Sequence, residues 1–74
     1  MPVSTWSWSV LLEKLTPAQI EILDYLSRGM TLKFVCYKRG VKRWTVQRQV
    51  YDAMNRLHAK TVYELIALYV SSRE

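Results

Sequence analysis

The chain has 74 residues, half of them hydrophobic, and carries a net charge of +5. A domain this small buries only about 60% of the surface its unfolded chain exposes, which excludes a second domain and an enzyme cleft of ordinary size. The hydrophobic share excludes a disordered tail, and a single Cys with no apolar run of roughly 18 residues excludes an internal disulfide and a membrane helix.

The leader MPVSTWSWSVLLEKL contains Trp6, Trp8, Val10, Leu11 and Leu12. Trp6, Trp8 and Val10 alternate as in a strand, whereas Trp8, Leu11 and Leu12 suit a turn of helix, and the pattern leaves both readings open. Residues 1–14 are expected to pack on the domain as a short apolar extension, because two Trp left in water forgo much favourable burial. Such a leader is too apolar for a linker, which favours a stand-alone protein.

Four helices are predicted from residue 15 onward. The first spans about 17–28. Thr16 caps it, Pro17 suits the first helical position and Gln19 completes a capping box, with Leu15 and Ile20 as a hydrophobic staple. Ile22, Leu23 and Leu26 line its inner face, and Gly29 ends it. The second helix is short: Thr31 caps it, Leu32, Val35 and Cys36 face inward, and Gly40 ends it. Arg39 makes that corner less apolar than a core usually is.

The third predicted helix runs from about Arg43 to Leu57. Val46, Val50, Ala53, Met54 and Leu57 fall on one side of a wheel turning about 100° per residue. Trp44, Arg48, Tyr51, Asp52 and Asn55 fall on the other, with Gln47 at the flank. Lys42 sits where Ser or Thr would cap, a loss of about 1 kcal/mol. In the fourth, Thr61 and Glu64 make a second capping box; Val62, Leu65, Ile66 and Tyr69 form one apolar face, and Tyr63, Ala67 and Val70 form another. Two apolar faces on a terminal helix leave one for a partner.

The charge is uneven. Residues 38 to 60 hold Lys38, Arg39, Lys42, Arg43, Arg48, Arg56 and Lys60 against Asp52 alone, so that third of the chain carries +6 and the remainder −1. Clustering of this kind is the footprint of a binder of nucleic acid or an anionic surface, and its plain alternative is a solvated basic face. No phosphate loop, paired carboxylates or metal cluster is present, so neither an enzyme, a cofactor nor a small-molecule substrate is expected. Cys36 reads as a small buried residue, His58 as a loop residue, and Asp52 with Arg56 as an i,i+4 surface ion pair.

A short helix, a glycine-containing turn and a longer helix with a basic outer face describe a helix-turn-helix. The stretch LTPAQIEILDYLSRGMTLKFVCYKRGVKRWTVQRQVYDAMNRLHAKTVYELIALYV resembles the DNA-binding domain of LuxR-, FixJ- and GerE-type bacterial regulators. Leu15, Thr16, Glu21, Leu23, Leu26, Gly29, Lys33, Thr45, Val46, Leu57 and Glu64 fall in register with that family's pattern, without a gap, from Leu15 to about Ile66. The chain departs from the pattern at Arg39, Lys42, Trp44, Gln49 and His58.

The resemblance implies an all-α, four-helix LuxR-type domain over residues 15–74, acting as a homodimeric, sequence-specific regulator of transcription in the cytoplasm of a bacterium or of a phage's host. It implies that residues 43–57 are the recognition helix, with Gln47, Arg48 and Tyr51 toward base edges and Trp44 on the same face. It places Lys33 and Thr45 on phosphates, where Lys42, Arg43, Asn55 and Lys60 are further candidates, and Tyr63, Ala67 and Val70 at the dimer contact. Duplex DNA is the expected partner, with RNA polymerase or another regulator as a second. Two other readings remain: the same fold binding and inhibiting another protein, and a non-specific phage or bacterial DNA-binding subunit.

Overall fold

The computed structural model describes residues 7–73, and Trp6, one member of the leader's alternating pattern, lies outside them. Among the described residues there are five helices and no strand: α1 (Trp8–Lys14), α2 (Pro17–Ser27), α3 (Leu32–Arg39), α4 (Arg43–Leu57) and α5 (Val62–Arg73). The four helices expected from residue 15 onward are α2 to α5, and the leader, whose pattern left strand and helix open, adds α1. Ser7 is extended and its side chain accepts the Val10 N–H, which starts α1. The helical register puts Leu11 at 0% exposure and sets the Trp8 ring edge-on to Tyr69, 5.8 Å between centroids. A strand would have sent these two side chains in different directions; the helix brings both onto α5.

The start of α2 is built as its residues require. Thr16 Oγ1 accepts the Gln19 N–H at 3.2 Å and Gln19 Oε1 accepts the Thr16 N–H at 3.0 Å, so two of the helix's orphan donors are satisfied. Leu15 is buried and Ile20 packs against the core. The helix stops at Ser27, with Arg28 as its cap and Gly29 at φ 86°, a conformation open to glycine.

Thr31 caps α3 through the Phe34 N–H at 3.1 Å. Val35 is its one fully buried side chain, Phe34 meets Tyr25 edge-on, and Cys36 is half-buried. Arg39 is accommodated because its guanidinium donates to Glu21 on α2 at 2.6 Å. Gly40, at φ 64°, then reverses the chain into the three-residue turn Gly40–Val41–Lys42.

Val46, Val50, Ala53 and Leu57 of α4 are buried against α2, α3 and α5, as the wheel requires. Lys42 is extended at the cap position and its side chain makes no capping hydrogen bond. At the other end His58 adopts φ 57°, the left-handed conformation that favours glycine.

Two details of α5 differ from the sequence reading. Thr61 Oγ1 accepts the Glu64 N–H at 3.0 Å, but the Glu64 carboxylate accepts from the Lys60 N–H at 2.6 Å, so the reciprocal bond falls one residue earlier than in a standard box. The inward face is Leu65, Leu68 and Tyr69, whereas Val62 is 37% exposed and Ile66 half-buried. Leu65 and Tyr69 lie one turn apart and set the inward direction; Val62, in the first turn, lies beyond the edge of the core.

Tyr69 closes the fold. Its ring is buried, its hydroxyl donates to Asp24 of α2 at 3.2 Å, and Arg73 donates to the same carboxylate oxygen at 2.9 Å while lying over the Trp8 ring at 5.4 Å. Burial, then the Asp24 charge, push the Tyr69 hydroxyl above its usual range, with Arg73 opposing. One side-chain cluster thus holds α1, α2 and α5 together.

Candidate nucleic-acid interface

The basic residues divide into those held in ion pairs and those without one. Ion pairs occupy Arg28 and Arg73 on Asp24, Arg39 on Glu21 and Arg56 on Asp52. Lys33, Lys38, Lys42, Arg43, Arg48 and Lys60 enter no ion pair among the described residues. They lie along α3, the turn, α4 and the loop into α5, and all are exposed. The Asp52 carboxylate on α4 takes a hydrogen bond from Gln19 at 2.6 Å and the Arg56 guanidinium at 2.9 Å, and the Glu64 carboxylate accepts from the Lys60 N–H. Lys42 and Arg43, without ion pairs among the described residues, thus stand at the start of α4, where the partial charge of the helix N-terminus has the same sign.

Trp44 is 60% exposed and Tyr51 is 64% exposed, and Arg48 and Asn55 are exposed beside them. At about 100° per residue these four project within roughly 60° of one another, a single stripe down α4. Gln47 is half-buried at the stripe's edge, as the wheel indicates. Trp44, Thr45 and Arg48 share a shallow groove with Gln49 and Asp52. Gln47 and Tyr51 instead border an apolar cleft of about 140 Å³ whose other walls are Leu26, Leu32, Val50 and Val62. The candidate base-facing residues thus share one helix and divide between its two flanks.

Among the phosphate candidates, Lys33 is at the start of α3, Lys42 and Arg43 at the start of α4, and Thr45 is half-buried in the first turn of α4. Asn55 and Lys60 lie at the far end of α4 and beyond it. Two further residues of α3 are exposed: Tyr37, 81% exposed and not singled out in the sequence, and Lys38, counted there in the basic cluster but not among the phosphate candidates. Both are placed by Val35, the single fully buried residue of that short helix, two and three positions before them.

Tyr63 is 86% exposed, Val70 is 40% exposed and Ala67 is exposed, so these three occupy the outer side of α5, away from Leu65 and Tyr69. They form a surface separate from the α4 stripe. No family model, no curated protein and no solved structure matches the chain.

Proposed function

We propose that the chain is a LuxR-type helix-turn-helix regulator that binds specific duplex DNA as a homodimer. The observation that supports this most is the gathering of Lys33, Lys38, Lys42, Arg43, Arg48 and Lys60, without ion-pair partners among the described residues, along a short helix, a three-residue glycine turn and a longer helix. In this reading α4 enters the major groove, which admits one helix, with its N-terminal half toward base edges. Arg48 faces guanine and Gln47 adenine, their favoured bidentate partners. Lys33, Lys42, Arg43 and Thr45, with Asn55 and Lys60 farther along, hold phosphates and set orientation without reading sequence. Two copies paired through Tyr63, Ala67 and Val70 present their α4 helices to half-sites about one helical turn apart. The protein acts on DNA in the cytoplasm, with RNA polymerase or another regulator as a further partner.

Salt tests the electrostatic part. With four to six phosphates neutralised per protomer, about eight to twelve for the dimer, log affinity for duplex DNA falls against log salt with a slope of about −7 to −11. A flat dependence contradicts the reading.

A second reading draws on the exposed Trp44, Tyr51 and Tyr63. Large aromatic rings on a surface are also the anchors of protein interfaces, and the same domain would then bind and inhibit another regulator. Such a contact responds little to salt. A non-specific DNA-binding subunit would keep the salt response and lose sequence preference.

A further inference from the structure

The α4 stripe carries an ordering that basic charge alone does not require: an aromatic ring, a guanidinium and a second aromatic ring, at Trp44, Arg48 and Tyr51. Among the described residues the ring pairs are Trp8 with Tyr69 and Tyr25 with Phe34, so the Trp44 and Tyr51 rings stack on nothing within the domain. Arg48 between them has no ion pair among the described residues. Tyr51 also stands at the mouth of the apolar cleft walled by Leu26, Leu32, Val50 and Val62, so its surroundings are apolar as well.

We infer that this stripe reads thymine methyl groups on either side of a guanine. The inference rests on the duplex-DNA reading above and specifies what that site recognises. Seven residues at 1.5 Å per residue separate the Trp44 and Tyr51 positions by about 10.5 Å along the helix, and base pairs rise about 3.4 Å, so these positions lie at most about three base steps apart along the duplex. In the major groove the one apolar group that DNA offers is the C5-methyl of thymine. The carbon part of either ring set against a cytosine amino group or a guanine oxygen leaves that polar atom without a partner, whereas against a methyl it buries apolar surface. The guanidinium between the rings matches guanine O6 and N7. A single strand stacked on the rings is the other use of exposed aromatics, and the relative affinity for single and double strands distinguishes it.

The test takes the duplex that the protein enriches from a randomised library and synthesises it twice, with thymine and with uracil. Uracil keeps the pairing and the phosphates and removes only the methyl groups. The expected enriched sequence holds a guanine with thymines within three steps, and the uracil duplex binds about fourfold more weakly for each contacted methyl. Trp44→Ala and Tyr51→Ala each shrink the difference between the two duplexes, while Lys42→Ala weakens both alike; matched circular dichroism and thermal midpoints establish that the variants are folded. Equal affinity of the wild-type protein for both duplexes overturns the inference and leaves the DNA-binding reading standing. So does a uracil effect that persists in both aromatic variants. Tighter binding to the single strand of the same sequence overturns it in favour of stacking, and binding to neither duplex overturns it together with the reading on which it rests.

Discussion

Gln19 on α2 and Asp52 on α4 are joined by a 2.6 Å hydrogen bond from the amide Nε2 to the carboxylate Oδ2, across 33 positions of sequence. The same amide oxygen accepts the Thr16 N–H, so one buried side chain both caps α2 and fixes α4 beside it. Gln19→Glu separates the two roles. The glutamate keeps an oxygen for the cap but sets a second carboxylate against Asp52. The variant is expected to be less stable than wild type at pH 7 by about 1–3 kcal/mol in urea unfolding. The deficit is expected to shrink as pH falls, because the repelled carboxyl has a raised folded-state pKa and the folded protein binds the extra proton more readily. A deficit that stays constant down to pH 4 contradicts the Gln19–Asp52 coupling.

Lys42 trades stability for charge. It stands extended at the cap of α4 with no capping hydrogen bond from its side chain. Lys42→Ser supplies the missing oxygen and is expected to raise stability by about 1 kcal/mol. It is also expected to weaken DNA binding on every sequence and to make the dimer's salt slope shallower by about 2, one for each protomer. Calorimetric unfolding and an anisotropy titration at several salt concentrations read the two effects. A variant that gains stability and keeps the full slope removes Lys42 from the phosphate contacts.

The proposed function puts Arg48 on a base and not on the backbone. Arg48→Ala is expected to weaken the preferred duplex by roughly 1–3 kcal/mol and random DNA much less. Arg48 is exposed and unpaired among the described residues, so the fold is expected to tolerate the change. Equal losses on both duplexes point to a phosphate contact instead.

Val70 tests the dimer. It lies on the outer side of α5 with Tyr63 and Ala67, 40% exposed and away from the buried Leu65 and Tyr69. Val70→Asp is expected to halve the mass seen in light scattering and to leave the helical signal intact, since a charge on that face opposes pairing without entering the core. An unchanged dimer mass sinks the α5 interface.

Tyr69 ties stability to alkaline pH. Its hydroxyl is held above its ordinary value of 10.0 by burial and by Asp24, so near pH 10 the folded state keeps a proton that the unfolded state releases. Its contribution is fully present below the unfolded value and is lost as pH rises through the folded one. Unfolding free energy is thus expected to decline above about pH 10, and Tyr69→Phe, which has no proton to lose, is expected to show a shallower decline. An identical decline in both proteins contradicts the assignment.

Local signals carried much of this fold. Thr16, Pro17 and Gln19 announced α2, Gly40 the turn, and the spacing of Val46, Val50, Ala53 and Leu57 the buried side of α4, because caps and periodicity act within a few residues. The same wheel exposed Trp44, Arg48 and Tyr51. Partnerships between distant residues were not legible: Arg39 with Glu21, Gln19 with Asp52, and Tyr69 with Asp24 and Trp8 join helices 18 to 61 positions apart. The leader carried a pattern compatible with both strand and helix, and packing on α5 decided it. The exposure of Tyr37 and Lys38 depended on how α3 sits on α4, which its short and weakly amphipathic sequence does not specify.

The most direct measurement is selection of a randomised duplex library by the purified protein at moderate salt, followed by sequencing of the bound fraction. The account predicts an enriched inverted repeat with half-sites about one helical turn apart, because two α4 helices held by one α5 interface must meet DNA with that symmetry. Binding without enrichment, or no binding at all, contradicts a dimeric, sequence-reading regulator; the second result would turn the exposed Trp44 and Tyr51 into anchors for a protein partner.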